Sequence, residues 1–193
     1  MNTLKKRAIS RLLPALILAS LATGCVHPLL TTDAKLEPGD KTARLRVRLA
    51  TKGSISVLQY APSKCYAFSD PAVRSLATIY KGEKEFGISL TRPEKLGMPS
   101  DLNGVPQYSY EEIVVKAGTP LDFGVHWSYG NQYFVYRANA VAEFVPEAGK
   151  DYELKVAGEP KAPLQLAIDE LQLNDGHITR VPVTIAKVHL CGT

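Results

Sequence analysis

The sequence predicts an all-β protein, a single antiparallel β-sandwich of immunoglobulin-like or transthyretin-like type with at most one short helix. Three observations carry this. Thirteen prolines and 14 glycines in 193 residues favour many turns and work against a long helical bundle. Apolar residues make up 45% and charged residues 22%, enough to bury a core and too apolar for a disordered chain. From residue 42 onward, short alternating or β-branched runs recur between Gly, Pro and Asn turns, which is the pattern of a sandwich.

The strands follow in order. Ala43, Leu45, Val47 and Leu49 interleave with Arg44, Arg46 and Arg48, an unbroken period of two. A Lys52-Gly53 turn then leads to Ser54–Tyr60, so these two strands are expected to form a hairpin. Further strands are expected at Thr78–Tyr80, Phe86–Leu90, Ser109–Val115, Leu121–Tyr129, Gln132–Phe144, Asp151–Val156, Pro163–Glu170 and Thr179–Leu190. Asp70 as N-cap and Pro71 at the first helical position mark the one short helix. Phe144 to Tyr152 ends in a turn followed by a Tyr-led strand, similar to the tyrosine corner of immunoglobulin-like sandwiches. Gly130-Asn131 reads as a two-residue hairpin turn pairing 129 with 132 and 127 with 134. That register puts Val125, Trp127 and Tyr129 on one face with Gln132, Phe134 and Tyr136, and makes Trp127–Phe134 a core pair.

The formal charge of +4 is misleading, because Lys5, Lys6, Arg7 and Arg11 lie in the first 24 residues, which hold no acid. The remainder is balanced, so net charge gives nucleic-acid binding no support. The N-terminus itself has a positive start, an apolar run from Leu12 to Ala22 and a small-residue junction, the layout of a targeting signal. The run is about half the ~20 residues that a membrane-spanning helix needs. Leu21-Ala22-Thr23-Gly24-Cys25 resembles a bacterial lipobox, although alanine rather than leucine stands three before the cysteine. The competing reading is an ordinary secretory peptide with an incidental cysteine.

The resemblance implies three parts: a signal peptide over 1–24, a lipidated tether over 25–41 and a β-sandwich domain over 42–193. It implies thioether-linked acyl chains on Cys25 as the membrane partner, since several chains anchor stably where one does not. Val26 in place of the aspartate that retains lipoproteins in the inner membrane implies the outer membrane, periplasmic or surface-facing. In that oxidising space the leftover pair, Cys65 and Cys191, is expected to be disulfide-bonded. Such a bridge would pin the C-terminus to an early loop and contribute at most about 5 kcal/mol. Two free buried thiols are the alternative.

Arg44-Leu45-Arg46-Val47, Cys65, Gly97-Met98-Pro99, Glu112 with Val115-Lys116-Ala117-Gly118-Thr119-Pro120-Leu121, and Phe144 with Pro146-Glu147-Ala148-Gly149 and Tyr152 occur in this order. Together they resemble a family of small uncharacterised lipoproteins of Gram-negative outer membranes. That resemblance implies location and fold and brings no activity.

Candidate chemistry is thin. Asp122, His126 and Ser128 have the residue types of a hydrolase triad and share a strand face. At ~3.3 Å per residue they sit ~13 and ~7 Å apart, against the 2.6–3.2 Å that a working triad needs. No catalytic residue, metal ligand or cofactor is therefore expected, and His27, His126, His177 and His189 match no ligand spacing. Arg44, Arg46 and Arg48 would contact anionic lipid or glycan, or be balanced by acids such as Asp151 and Glu153 on a neighbouring strand. The expected function is a non-enzymatic binding or assembly module of the cell envelope, with an envelope protein or glycan as partner; an envelope hydrolase and a purely structural tether are the alternatives. Tyr129 and Tyr133, near the hairpin tip, are the candidate binding residues. The 17-residue loop from Thr91 to Gln107 is expected to complete that contact surface.

Overall fold

The structure, a computed structural model, describes residues 36–67, 74–82, 87–89, 95–188 and 191. The signal segment, Cys25, His27 and the expected helix at Asp70 lie outside the described residues. Among the described residues eleven strands run in chain order: β1 (Thr42–Leu49), β2 (Gly53–Gln59), β3 (Arg74–Lys81), β4 (Gly87–Ser89), β5 (Tyr110–Lys116), β6 (Leu121–Gly130), β7 (Val135–Phe144), β8 (Asp151–Ala157), β9 (Gln165–Asn174), β10 (His177–Val183) and β11 (Ala186–Lys187). One 3₁₀ turn, Gln107–Ser109, precedes β5. Two sheets pack as a sandwich, one ordered β10-β9-β8-β1-β5 and the other β11-β7-β6-β2-β3-β4. The expected sandwich is present. All pairings are antiparallel except that of β1 with β8, which is parallel.

The core lies between the sheets. Leu45, Val47 and Leu49 of β1 meet Ile55, Val57, Phe123, Val125 and Trp127 from the opposite sheet, each strand sending alternate residues inward. The tyrosine corner is made as the sequence implied: the Tyr152 hydroxyl accepts the Glu147 N–H at 3.0 Å. Cys65 and Cys191 are bridged, with their Cα atoms 5.0 Å apart, and Cys191 also donates its N–H to the Tyr66 carbonyl.

Three local expectations fail. The single strand expected over Thr179–Leu190 divides into β10 and β11, which lie in different sheets. β1 and β2 do not form a hairpin, because β1 pairs with β5 and β8 while β2 pairs with β3 and β6. The Lys52-Gly53 turn steps from one sheet to the other, so the apolar faces of β1 and β2 oppose each other across the core. Alternation alone does not distinguish these two arrangements. The β6–β7 hairpin is also longer than a two-residue turn. Tyr129 pairs with Tyr136 and Gly130 with Val135, because the Asn131 side chain accepts the N–H groups of Tyr133 and Phe134 and so orders a four-residue turn. Trp127 consequently faces Ala138, not Phe134. The slip is even-numbered, so the inward set Val125, Trp127, Tyr129 and Tyr136 is preserved.

The arginine ladder of β1 finds the acids that the sequence offered, and its middle member is fully buried. Arg44 forks onto Asp151 at 2.6 and 2.7 Å. Arg46, 0% exposed, bonds Glu112 at 2.8 Å and Glu153 at 3.4 Å. Arg48 reaches Glu153 at 2.9 Å. Residues 95–106 form a strap across this face. Arg46 donates to the Met98 and Pro99 carbonyls, and Glu112 accepts the Leu96 and Met98 N–H groups. Asp101 of the strap pairs with Arg180 of β10. Contact of Arg46 with an external anion is thus ruled out by burial. The strap is fastened to one sheet while the β6–β7 tip belongs to the other; residues 91–94 of the expected contact loop lie outside the described residues.

Candidate functional site

The tip is built around Trp127. Its indole is 2% exposed and donates Nε1–H to the Lys52 carbonyl at 3.1 Å. Gly158, just after β8, lies flat on the ring, where any Cβ would collide with it. Gly53 turns at φ +121° on the other side, with the indole nitrogen again in the way of a Cβ, a conformation that glycine alone tolerates cheaply. Tyr129 stacks on the indole, centroids 6.2 Å apart and planes 17° from parallel. Beyond it the Asn131 turn closes through Asn131 N–H to the Phe134 carbonyl at 2.9 Å.

This framework holds two clefts, and Tyr129 lines both. One, of about 280 Å³, is bounded by Ser54, Tyr80, Lys81, Ser128, Asn131 and Val135. The other, of about 450 Å³, is bounded by Thr51, Lys52, Trp127, Gly158, Glu159 and Pro160. Tyr133 projects from the turn at 83% exposure, and Phe134, Val135 and Tyr80 are each more than two-fifths exposed. Four of the seven large exposed hydrophobic residues among the described residues therefore gather at one end of the sandwich. Aromatic rings with one polar end and few rotatable bonds suit recognition of a peptide or a sugar face. Of the two sequence-chosen residues, Tyr133 is free at the tip and Tyr129 is half-buried as the floor shared by the clefts.

The residues of the rejected triad each have their own partners. The Ser128 hydroxyl meets Ser54 Oγ at 2.8 Å. His126 Nδ1 lies 3.1 Å from Asn139 Oδ1, and its Nε2 lies 3.5 Å from the Tyr60 hydroxyl. Asp122 stands directly across from Glu143. Hydrogen bonding with Asp122, and then burial, hold the Glu143 carboxyl above the ordinary value of 4.5, as expected where two carboxylates crowd one site. Asp122 is 2% exposed, and its Oδ1 has no hydrogen-bond partner among the described residues. Sequence reasoning did not find this acid pair, because only the true β6–β7 register places the two opposite each other. Under the strap, burial pushes the Lys95 ammonium below its ordinary value as it sits 4.1 Å from the Tyr110 ring centre. Hydrogen bonding to Arg180 pulls the Asp101 carboxyl down. These groups serve the strap.

No family model matches the chain, and no curated protein matches it.

Proposed function

We propose that this protein is an outer-membrane lipoprotein, held by acyl chains on Cys25, whose β-sandwich binds an envelope protein or glycan through the β6–β7 tip without catalysing a reaction. The observation that supports it is the concentration of exposed aromatic and β-branched side chains, Tyr80, Tyr133, Phe134 and Val135, at one ordered end. Large exposed apolar groups gathered in one place favour a contact site over the chance exposure of single residues. The turn is pre-organised by its own backbone and the Asn131 amide, so little conformational entropy is lost when a partner docks. The anchor rests on the lipobox-like junction before Cys25. The 16 residues from Val26 to Lys41, reaching at most ~55 Å, would let the tip search the space near the membrane.

The test is a Tyr133→Ala/Phe134→Ala variant, both side chains being exposed. The reading expects recovery of crosslinked envelope partners, or retention on isolated peptidoglycan, to fall tenfold or more at unchanged melting temperature. Each aromatic hot spot accounts for roughly 2 kcal/mol or more. Unchanged recovery on both supports would refute the tip as the binding surface.

A further inference from the structure

We propose that two copies of this chain pair through the open edge of β7, antiparallel and centred on Ala138. On one side β7 is matched to β6 over its whole length. On the other, only Ala142 and Glu143 have a partner strand, β11. Val135 to Val141 therefore present an edge with no strand beside it among the described residues. Other edges carry devices that discourage pairing. β10 contains Pro182, β4 has three residues, and Lys95 occupies the Tyr110 carbonyl at the start of β5. β7 has no proline, and its register with β6 is unbroken.

The occupant is identified by the sequence of the edge, Val-Tyr-Arg-Ala-Asn-Ala-Val. About Ala138 it is self-complementary: Val135 faces Val141 of the second copy, Tyr136 faces Ala140, and Arg137 faces Asn139. Centring on Arg137 would set two guanidinium groups directly opposite each other, which sheets disfavour. Centring on Asn139 would need residue 142, already taken by β11. Only the Ala138 axis uses all seven free positions.

Size complementarity agrees. Tyr136 and Ala138 face inward and pack against the core. Beneath this edge the sheets leave a groove of about 430 Å³ walled by Ala140, Ala142, Leu164, Leu166 and Ile185. The groove exists because the inward residues of β7 that wall it, Ala140 and Ala142, are alanines. In the paired arrangement the second copy's Tyr136 stands opposite Ala140 on the same face, so its ring enters the groove, and the exchange is reciprocal as two-fold symmetry requires.

The geometry fixes a distinctive test in the full chain. Residues directly opposite in an antiparallel pair have Cα atoms about 4.5–5.5 Å apart, within the span of a disulfide. Ala138→Cys lies on the axis and should give a covalent dimer on mild oxidation. Tyr136→Cys, whose copies would lie ~13 Å apart along the strands, should not. Co-expressed Tyr136→Cys and Ala140→Cys chains should crosslink to each other. Independently of any cysteine, the wild-type chain should sediment as a dimer, and Ala140→Lys, which places a charge in the groove, should sediment as a monomer. A monomeric wild type, equal crosslinking at 136 and 138, or an adduct at 138 with a different protein would each overturn the proposal.

Discussion

Replacing Arg46 by alanine should destabilise the protein severely and release the strap. Arg46 has no solvent exposure, and Glu112 and Glu153 beside it are 2% and 1% exposed. Among the described residues the guanidinium is the only cation within 4 Å of Glu112, whereas Glu153 also keeps Arg48 and Arg180. Truncation therefore strands at least one buried carboxylate and deprives the Met98 and Pro99 carbonyls of their donor. Removing one member of a buried ion pair costs about 3–5 kcal/mol, a fifth or more of a typical domain stability of about 5–15 kcal/mol. The midpoint of urea unfolding should fall accordingly, and amide exchange at Leu96 and Met98, whose N–H groups bond Glu112, should accelerate. Arg46→Lys keeps the charge and loses the fork, so it should lie between alanine and wild type. A loss under about 1 kcal/mol for Arg46→Ala, with unchanged exchange in the strap, would mean that the cluster behaves like a surface pair and that the account of the strap is wrong.

Glu143→Gln should stabilise the domain at pH 7 by about 0.2–1 kcal/mol, since it removes a like charge directly across from Asp122; chemical denaturation reads this. Because the Glu143 carboxyl titrates above its ordinary 4.5, the folded state holds its proton more tightly than the unfolded state. Its contribution to stability should therefore rise as pH falls from 7 through its raised value and level off below about 4.5, and Glu143→Gln should abolish that rise. Asp101 works the other way: its lowered carboxyl stabilises above the ordinary value near 3.8 and loses that effect as pH falls further. Reducing the Cys65–Cys191 bridge should cost about 2–5 kcal/mol, seen as a lower melting temperature; recovery of both as free thiols from native material would contradict the bridge. Cys25→Ser should release the chain from the membrane fraction or leave it unprocessed, and fractionation like wild type would refute lipidation.

What was legible in the sequence was what repeats locally. The period of two in β1 named both its core residues and the acids able to meet its arginines, since Asp151 and Glu153 alternate in step with Arg44 and Arg46. Trp127 and Tyr129 were placed on the inward face despite a wrong hairpin register, because an even slip leaves parity intact. The departures came from contacts between distant segments. Nothing near Lys52 states whether β2 turns back beside β1 or crosses the core. The strap looked like a free loop because its glycines and prolines signal irregular backbone, and the signal that it is fastened lies elsewhere, in Arg46, Glu112 and Arg180. The Asp122–Glu143 pair needs the register that the Asn131 turn sets through its side chain and backbone.

The claim that the tip is the binding surface is tested most directly by a photo-crosslinking residue placed at Tyr133 in the membrane-anchored chain in living cells. A second probe at Lys155, also exposed but on the other sheet, is the control. The account predicts a discrete adduct with an envelope component from position 133 that is absent from position 155 and lost with Phe134→Ala. Adducts of equal yield from both positions, or none from position 133 while position 155 captures a partner, would contradict it.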